Sequence, residues 1–440
     1  MPRPPHHQCE FTYDYRPVGQ GLFCRGELVF RERNHPRKIF QWVYDCGSEN
    51  RDIVNGEVDL YRRHLPDPKR LDLLVLSHFD QDHVEGVERL LQGLPVDNLV
   101  LPYLTPAQRM LLAAEAGTDN PDYIRFLISP VDYLLTLPEA QIGTITFIQP
   151  GREPLPPEEA EVSPGNPPTG DNLIRDLPPK NLLEGKAPNK DEFWTDPGMV
   201  RHVGSGRTQV QVTRGGRPME ILGLWEFFFY NLPQADLEAQ LRAQVQPIFD
   251  AFYWLPEAER KYDDFIDQLR VIYRGLFGKG EKGRNDISLV TYTGPVMEQF
   301  ESAHYLCINH CHYPAAREGR GPHGGQEQDC PDGKISALYT GDLNFKKSVT
   351  AAVRTILGDD RWRRIRFLQV PHHGSKKSWQ RGQSALWQHE WSVFSAGLNH
   401  GYKHPNQEVL DDLKLHNPVL VNQWQGAAWG GMAGWNNTQA

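Results

Sequence analysis

Ser77-His78-Phe79-Asp80-Gln81-Asp82-His83 follows directly on Leu71-Asp72-Leu73-Leu74-Val75-Leu76, and this junction decides the fold. The aliphatic run is expected to be a fully buried strand, and Val84 to Leu91 the helix that follows it. His78, Asp80, Asp82 and His83 therefore share one strand-to-helix turn. A short turn anchored on a strand can aim alternate side chains at one point. Two imidazoles and two carboxylates suit Zn²⁺ or Mn²⁺ better than a thiolate-seeking metal. The bland alternative is a solvated loop rich in His and Asp, and the density of ligand types after a buried strand weighs against it.

The chain around this turn has 440 residues, more than one average domain, yet within reach of one large sandwich with insertions. No uninterrupted apolar stretch of about 18 residues occurs, so no membrane span is expected. Met1-Pro2-Arg3-Pro4-Pro5-His6-His7 lacks an apolar region and a small-residue cleavage site, so a cytoplasmic, reducing setting is expected. Cys9, Cys24, Cys46, Cys307, Cys311 and Cys330 are too sparse for a disulfide scaffold and read mostly as buried thiols. A net charge of −9 argues against coating by nucleic acid through bulk electrostatics, while leaving room for a local basic groove.

In chain order, Phe11 to Val18, Gly21 to Phe30 and Ile39 to Tyr44 read as a β-meander, with Arg31 to Lys38 as a charged hairpin tip. Beyond the His/Asp turn, Asn98 to Pro102 reads as a buried strand. Pro106 to Ala116 reads as a helix capped by Thr105, and Ile142 to Ile148 as a further strand. Strands alternating with helices are an α/β pattern. Residues 150–200 form a Pro-rich, acidic insert, expected to be mobile. In 201–284, Pro218 to Asn231 reads as one aromatic strand buried on both faces. Two helices follow it, with stripes at Leu237, Leu241, Val245, Ile248 and Phe252 and at Phe265, Leu269, Ile272 and Leu276. Residues 426–440 read as a tail.

Two further clusters carry possible chemistry. Arg361, Arg363, Arg364 and Arg366, with Lys376 and Lys377, form a run without an acidic residue. Such a run could track a phosphate-rich substrate while Trp362 and Trp379 stack on bases. A solvated helix face explains the charges equally well. Cys307, His310, Cys311, His312, His323 and Cys330 lie in an insertion at 301–334. Four of them, such as Cys307, Cys311, His312 and Cys330, could hold a structural Zn²⁺, although the spacing lacks a regular C-x₂-C pair.

The H-x-D-x-D-H spacing of His78 to His83 resembles the H-x-H-x-D-H signature of the metallo-β-lactamase superfamily. With Asp at the second position it looks like the metallohydrolase domain of the ComEC/Rec2 DNA-uptake proteins and their soluble relatives. Other segments match in order. Val18-Gly19-Gln20-Gly21 and Asp45-Cys46-Gly47 resemble the segments that open such domains, which places Asp45 beside the metal site as a support. Asn285-Asp286-Ile287-Ser288-Leu289-Val290 is similar to a strand whose Asn and Ser lie near the active-site edge, so Asn285 and Ser288 become orienting groups, or simply hydrogen bonds at a strand end. Thr340-Gly341-Asp342 matches a strand end whose Asp bridges two metals. Val370-Pro371-His372-His373-Gly374-Ser375 resembles an element that brings one imidazole to a metal, with His372 preferred and its neighbour supporting it or touching phosphate. Lys403-His404-Pro405 resembles a closing element that makes His404 a ligand, with Ser375 and Lys403 available to phosphate.

The resemblance implies an αββα sandwich of two mixed sheets, divided between 1–149 and 285–425. It implies two divalent ions, Zn or Mn, held by His78, Asp80, Asp82, His83, Asp342, His372 or His373, and His404, with Asp82, His83 and Asp342 central to catalysis. Two such ions would lower the pKa of a shared water, giving a hydroxide that attacks phosphorus or a carbonyl. Asp80 in place of His makes its site harder, in the direction of Mn²⁺. The expected activity is phosphodiester hydrolysis, as a nuclease on DNA or RNA, within a larger bacterial system such as defence against foreign DNA. Ser375, Lys376, Lys403 and Arg364 are the expected substrate contacts. Rival readings are a hydrolase of another ester, such as a phosphocholine ester, lactone or thioester, and a non-catalytic binding or assembly module that uses the insertions as its surface.

Overall fold

The computed structural model describes residues 7–32, 36–116, 120–151, 174–175, 208–216, 218–232, 243–245, 247–252, 255–256, 259, 261–277, 288–296, 300–309, 328–329, 333–398 and 400–435. Two mixed sheets flanked by helices make up the fold, an arrangement compatible with an αββα sandwich. One sheet runs in the order Gln328–Asp329, Phe300–Asn309, Ala427–Trp435, His7–Tyr15, Phe23–Glu32, Lys38–Cys46, Leu71–Val75, Pro95–Pro102, Gln141–Gln149, Gln209–Arg214. The other runs Pro418–Val421, Trp391–Ser395, Ile365–Gln369, Ser336–Tyr339, Leu289–Pro295, Trp225–Asn231, Pro218–Ile221, Ile174–Arg175.

Each sheet has a parallel half, and residue pattern explains which. His7–Tyr15 alternates, turning Cys9, Phe11, Tyr13 and Tyr15 inward, as an antiparallel strand with one core face does. Leu71–Val75 is buried throughout and pairs in parallel with Lys38–Cys46 and Pro95–Pro102. Ser336–Tyr339, Ile365–Gln369, Trp391–Ser395 and Pro418–Val421 are likewise parallel. Between the sheets lies an aromatic core in which Tyr13, Trp42, Phe227, Tyr339 and Phe367 meet. Full burial of a side chain of this size contributes roughly 1.5–3 kcal/mol. Outside one sheet pack Arg51–His64, Pro106–Ala116, Pro121–Ile128 and Tyr262–Phe277, and outside the other Lys347–Arg364 and Gln407–Leu413. Among the described residues, no helix is long and apolar enough to cross a membrane.

Three elements differ from the sequence expectation. The helix expected at Val84 to Leu91 is two short ones, Gln81–Val84 and Val87–Leu91, because the Gly86 N–H donates to the Cys46 carbonyl at 2.8 Å and pulls the chain onto the strand. The single strand expected at Pro218 to Asn231 is a hairpin, turning at Leu222 and Gly223, whose φ values of 55° and 68° are those of a tight reverse turn. Residues 426–440, expected as a tail, contain the strand Ala427–Trp435, hydrogen-bonded on one side to His7–Tyr15 and on the other to Phe300–Asn309. Trp429 and Trp435 anchor it in the core, while Gly and Ala between them let two neighbouring strands approach. Phe300–Asn309, expected in an insertion, is thus part of the sheet. Of the expected insert at 150–200, Ile174–Arg175 pairs with the hairpin strand Pro218–Ile221; residues 152–173 and 176–200 lie outside the described residues.

Candidate metal centre

Strands from both sheets end at one place. Asp45 closes Lys38–Cys46, the His78 to His83 turn follows Leu71–Val75, Asp342 follows Ser336–Tyr339, and His372 and His373 follow Ile365–Gln369. The turns are locked together by backbone hydrogen bonds: the Leu289 N–H donates to the Ser77 carbonyl at 2.7 Å, and the His372 N–H to the Gly341 carbonyl at 3.1 Å. Gly47 makes the closest approach possible, since a Cβ there would meet the backbone carbons of His83 and Asp82 at 2.3 and 2.4 Å.

Four imidazoles surround the Asp342 carboxylate. Its Oδ2 lies 3.7 Å from Nε2 of both His78 and His372, and its Oδ1 lies 3.3 Å from Nε2 of His83 and 4.0 Å from Nε2 of His373. Each ring is pinned through its other nitrogen. His83 Nδ1 donates to Asp45 at 2.8 Å, and His373 Nδ1 donates to the Ser395 carbonyl at 2.5 Å. Ser77 Oγ donates to Asp45 at 2.6 Å and so accepts from His78 Nδ1 at 2.8 Å. Ser378 Oγ donates to Asn344 Oδ1 at 2.9 Å and so accepts from His372 Nδ1 at 2.8 Å. With every Nδ1 engaged, Nε2 is in each ring the nitrogen turned to the centre, the one a ligating imidazole would use, and that of His373 lies 2.9 Å from Asp82 Oδ2.

Three groups of His and Asp ligand atoms come within 4.8 Å of one another: His78, Asp80 and Asp342; Asp82, His83 and His373; and Asp45, His78 and His83. The third is support, because Asp45 already accepts from the Ser77 N–H at 2.6 Å, the Ser77 hydroxyl and His83. The first contains Asp342, whose Oδ1 also faces His83 and His373 of the second. His83 Nε2 and Asp342 Oδ1 are buried, yet among the described residues neither closes a hydrogen bond. Buried polar atoms left open in a ring of carboxylates and imidazoles fit divalent cations.

The electrostatics show the strain of gathering these groups. Burial pushes the Asp342 carboxyl up, but His372, His83 and His78 outweigh it and hold the group well below the usual carboxylate range. Burial opposes charge on His83 too, and Asp45, Asp82 and Asp342 more than offset this, raising its pKa. His404 behaves oppositely: burial, then His373 and His372, push it down to about 4.

A cleft of about 630 Å³ opens over the centre, with Asp82, Asp342, His372, His373 and His404 among its lining residues. The His404 ring stands 5.6 Å from that of His372. Ser375 is buried in the lining, Lys376 is exposed in it, and Lys403 is exposed between Tyr402 and His404, which both line it. Ser288 Oγ accepts the Asp342 N–H at 3.0 Å, a backbone support for that carboxylate.

Several expectations are corrected. Only one of His372 and His373 was expected to reach the centre; both direct Nε2 at Asp342. Arg364 is not among the residues that line the cleft; Ile365–Gln369, about 16 Å of strand, lies between it and the His pair. Trp362 and Trp379 are 3% and 4% exposed and so have no face for a base. Of the expected basic run, Arg361 pairs with Glu226 and Arg366 with Glu390, while Lys376 and Lys377 line the cleft. Asn285 and the cluster His310, Cys311, His312, His323 and Cys330 lie outside the described residues, and of Cys307 only the strand backbone is described. Sequence reasoning missed Ser77, Asn344 and Ser378; each lies within six residues of an expected ligand, which was the one available signal.

The chain matches no family model and no curated protein.

Proposed function

We propose that the chain is a metal-dependent hydrolase of phosphodiesters acting on nucleic acid, with the metallo-β-lactamase fold and a likeness to the ComEC/Rec2 metallohydrolase domain. The observation that carries this reading is the convergence of four Nδ1-pinned imidazoles on the two oxygens of Asp342. His78, Asp80, His372 and one Asp342 oxygen would hold one divalent ion. Asp82, His83, His373 and the other oxygen would hold a second. Bound there, Zn²⁺ or Mn²⁺ supplies an activated water at neutral pH and positive charge facing the phosphoryl oxygens.

The chain's own groups prepare that chemistry. Asp45 fixes His83 directly and His78 through Ser77, so two ligands from one turn cannot rotate away. Thr340 and Gln369 brace the strand end below Asp342: the Thr340 N–H donates to Gln369 Oε1 at 2.8 Å. Lys376, Lys377 and Asn406 line the cleft above, where a phosphate backbone needs cations and donors.

Purified protein supplied with Mn²⁺ or Zn²⁺ should cleave bis-p-nitrophenyl phosphate and single-stranded DNA, and Asp82→Ala and His83→Ala should reduce this to background. Hydrolysis of a lactone in place of both diesters would make it an esterase of another kind. Biological activity untouched by the two substitutions would make it a non-catalytic module.

A further inference from the structure

We propose that Tyr402 is a stacking platform for the base beside the scissile phosphate, so that the substrate is a single strand and not a duplex. This rests on the phosphodiesterase reading and goes beyond it. Tyr402 lines the cleft and is 59% exposed, whereas the two tryptophans nearest in sequence to the His pair are buried. Its ring is set by its neighbours: it lies 5.7 Å from the His404 ring at 21° between planes, and 5.0 Å from the His400 ring at 37°. His404 in turn stands 5.6 Å from His372, so two ring contacts link the exposed face to the centre.

The loop that carries Tyr402 is fastened at both ends. The Gly397 N–H donates to Gln20 Oε1 at 3.3 Å, the Leu398 N–H to Gln423 Oε1 at 2.9 Å, and the Asn406 N–H to the Gly374 carbonyl at 3.0 Å. His400 pairs with Glu49, another lining residue. An aromatic held this way loses little conformational freedom on binding. Tyr123, whose hydroxyl donates to the Phe79 carbonyl at 2.8 Å, and Leu112 also line the cleft, so its wall is partly apolar.

Charge decides between substrate forms. At −9 overall, the chain has no long-range attraction for a polyanion, so affinity has to come from contacts inside the cleft. Lys376 and Lys377 supply cations there, and the Lys376 ammonium is 3.5 Å from Glu408 in a pair exposed on both sides, which a phosphate can displace. Stacking supplies the remainder, and only an unpaired strand can offer a base face to a side chain. A volume of about 630 Å³ is that of a small-ligand pocket, suited to a nucleotide or two of such a strand.

The test compares KM and kcat for an oligothymidylate of about ten nucleotides, the same strand with abasic sugars around one phosphate, and a duplex of the same length. The abasic strand should show a KM raised about tenfold for cleavage at that phosphate, and the duplex should be cut far more slowly. Tyr402→Ala should raise KM for the intact strand and erase its advantage over the abasic one, while Tyr402→Phe keeps it. Equal KM for intact and abasic strands, or an advantage that survives Tyr402→Ala, or equal cleavage of the duplex, would overturn the platform. Hydrolysis of a lactone with no cleavage of any strand would instead remove the phosphodiesterase reading, and the platform with it.

Discussion

Asp45 is fully buried, holds a φ of 53°, and spends both oxygens on Ser77 and His83. A non-glycine residue in that conformation is strained and persists only where its surroundings over-determine it. His372 and His373, at 47° and 54°, share the feature. Asp45→Asn would set an amide N–H against either His83 or Ser77, and metal affinity should fall about 10- to 100-fold. Competition with a chelator of known affinity measures it; unchanged affinity would make Asp45 a purely structural group. A second residue predicts a pH effect remote from the centre. His389 is buried, stacks on His416 with ring centroids 4.2 Å apart, and is held well below the ordinary histidine value by burial, then by His416 and Lys334. Below about pH 6.5 the unfolded chain takes up a proton that the native chain refuses, so stability is lost as pH falls. His389→Gln should therefore show a smaller drop in urea midpoint between neutral and mildly acid pH than the unsubstituted protein. An equal drop in both would assign the acid sensitivity elsewhere.

Turns and strands fail differently from single side chains. Gly47→Ala drives a methyl group into the backbone of Asp82 and His83, so the ligand turn has to lift off the strand below it. Metal binding should be lost while far-UV circular dichroism stays near native; retained binding would show that the turn tolerates displacement. Ala427–Trp435 is the opposite case, an element whose loss should cost the whole fold. Trp429→Ala removes a fully buried indole from the core between the sheets and should destabilise by about 3–5 kcal/mol, read from chemical denaturation. A change below about 1 kcal/mol would mean that the site collapses around the gap. This strand was illegible in the sequence because Gly and Ala carry no β-propensity, and what defines it is pairing with distant partners on both sides. Leu71–Val75 was legible because a parallel strand buried on both faces is a near-continuous aliphatic run, here broken only by Asp72.

Across the molecule, the centre exists only where two sheets meet. Asp45 and the His78 to His83 turn come from one, Asp342, His372 and His373 from the other, and His404 follows at the end of the second sheet's parallel half. The residues that meet here were readable because each follows or ends a strand in a recognisable sequence. Their supports were not: Ser77, Ser378 and Asn344 are single polar residues whose roles depend on which distant ring they face. The basic run was legible only in part, because charge in sequence does not reveal partners: Glu226 and Glu390 pair with Arg361 and Arg366, while Lys376 and Lys377 line the cleft. Ion binding to the folded state alone should raise thermal stability with metal concentration, by about 2.7 kcal/mol at a hundred times the dissociation constant. Equal melting temperatures with and without Mn²⁺ or Zn²⁺ would deny any preformed site. Metal content of the purified chain after equilibrium dialysis is the most direct measurement of all. It should give two divalent ions per chain, falling to one or none in Asp342→Ala; no stoichiometric metal, or the same two ions after that substitution, would contradict a shared carboxylate at the heart of the site.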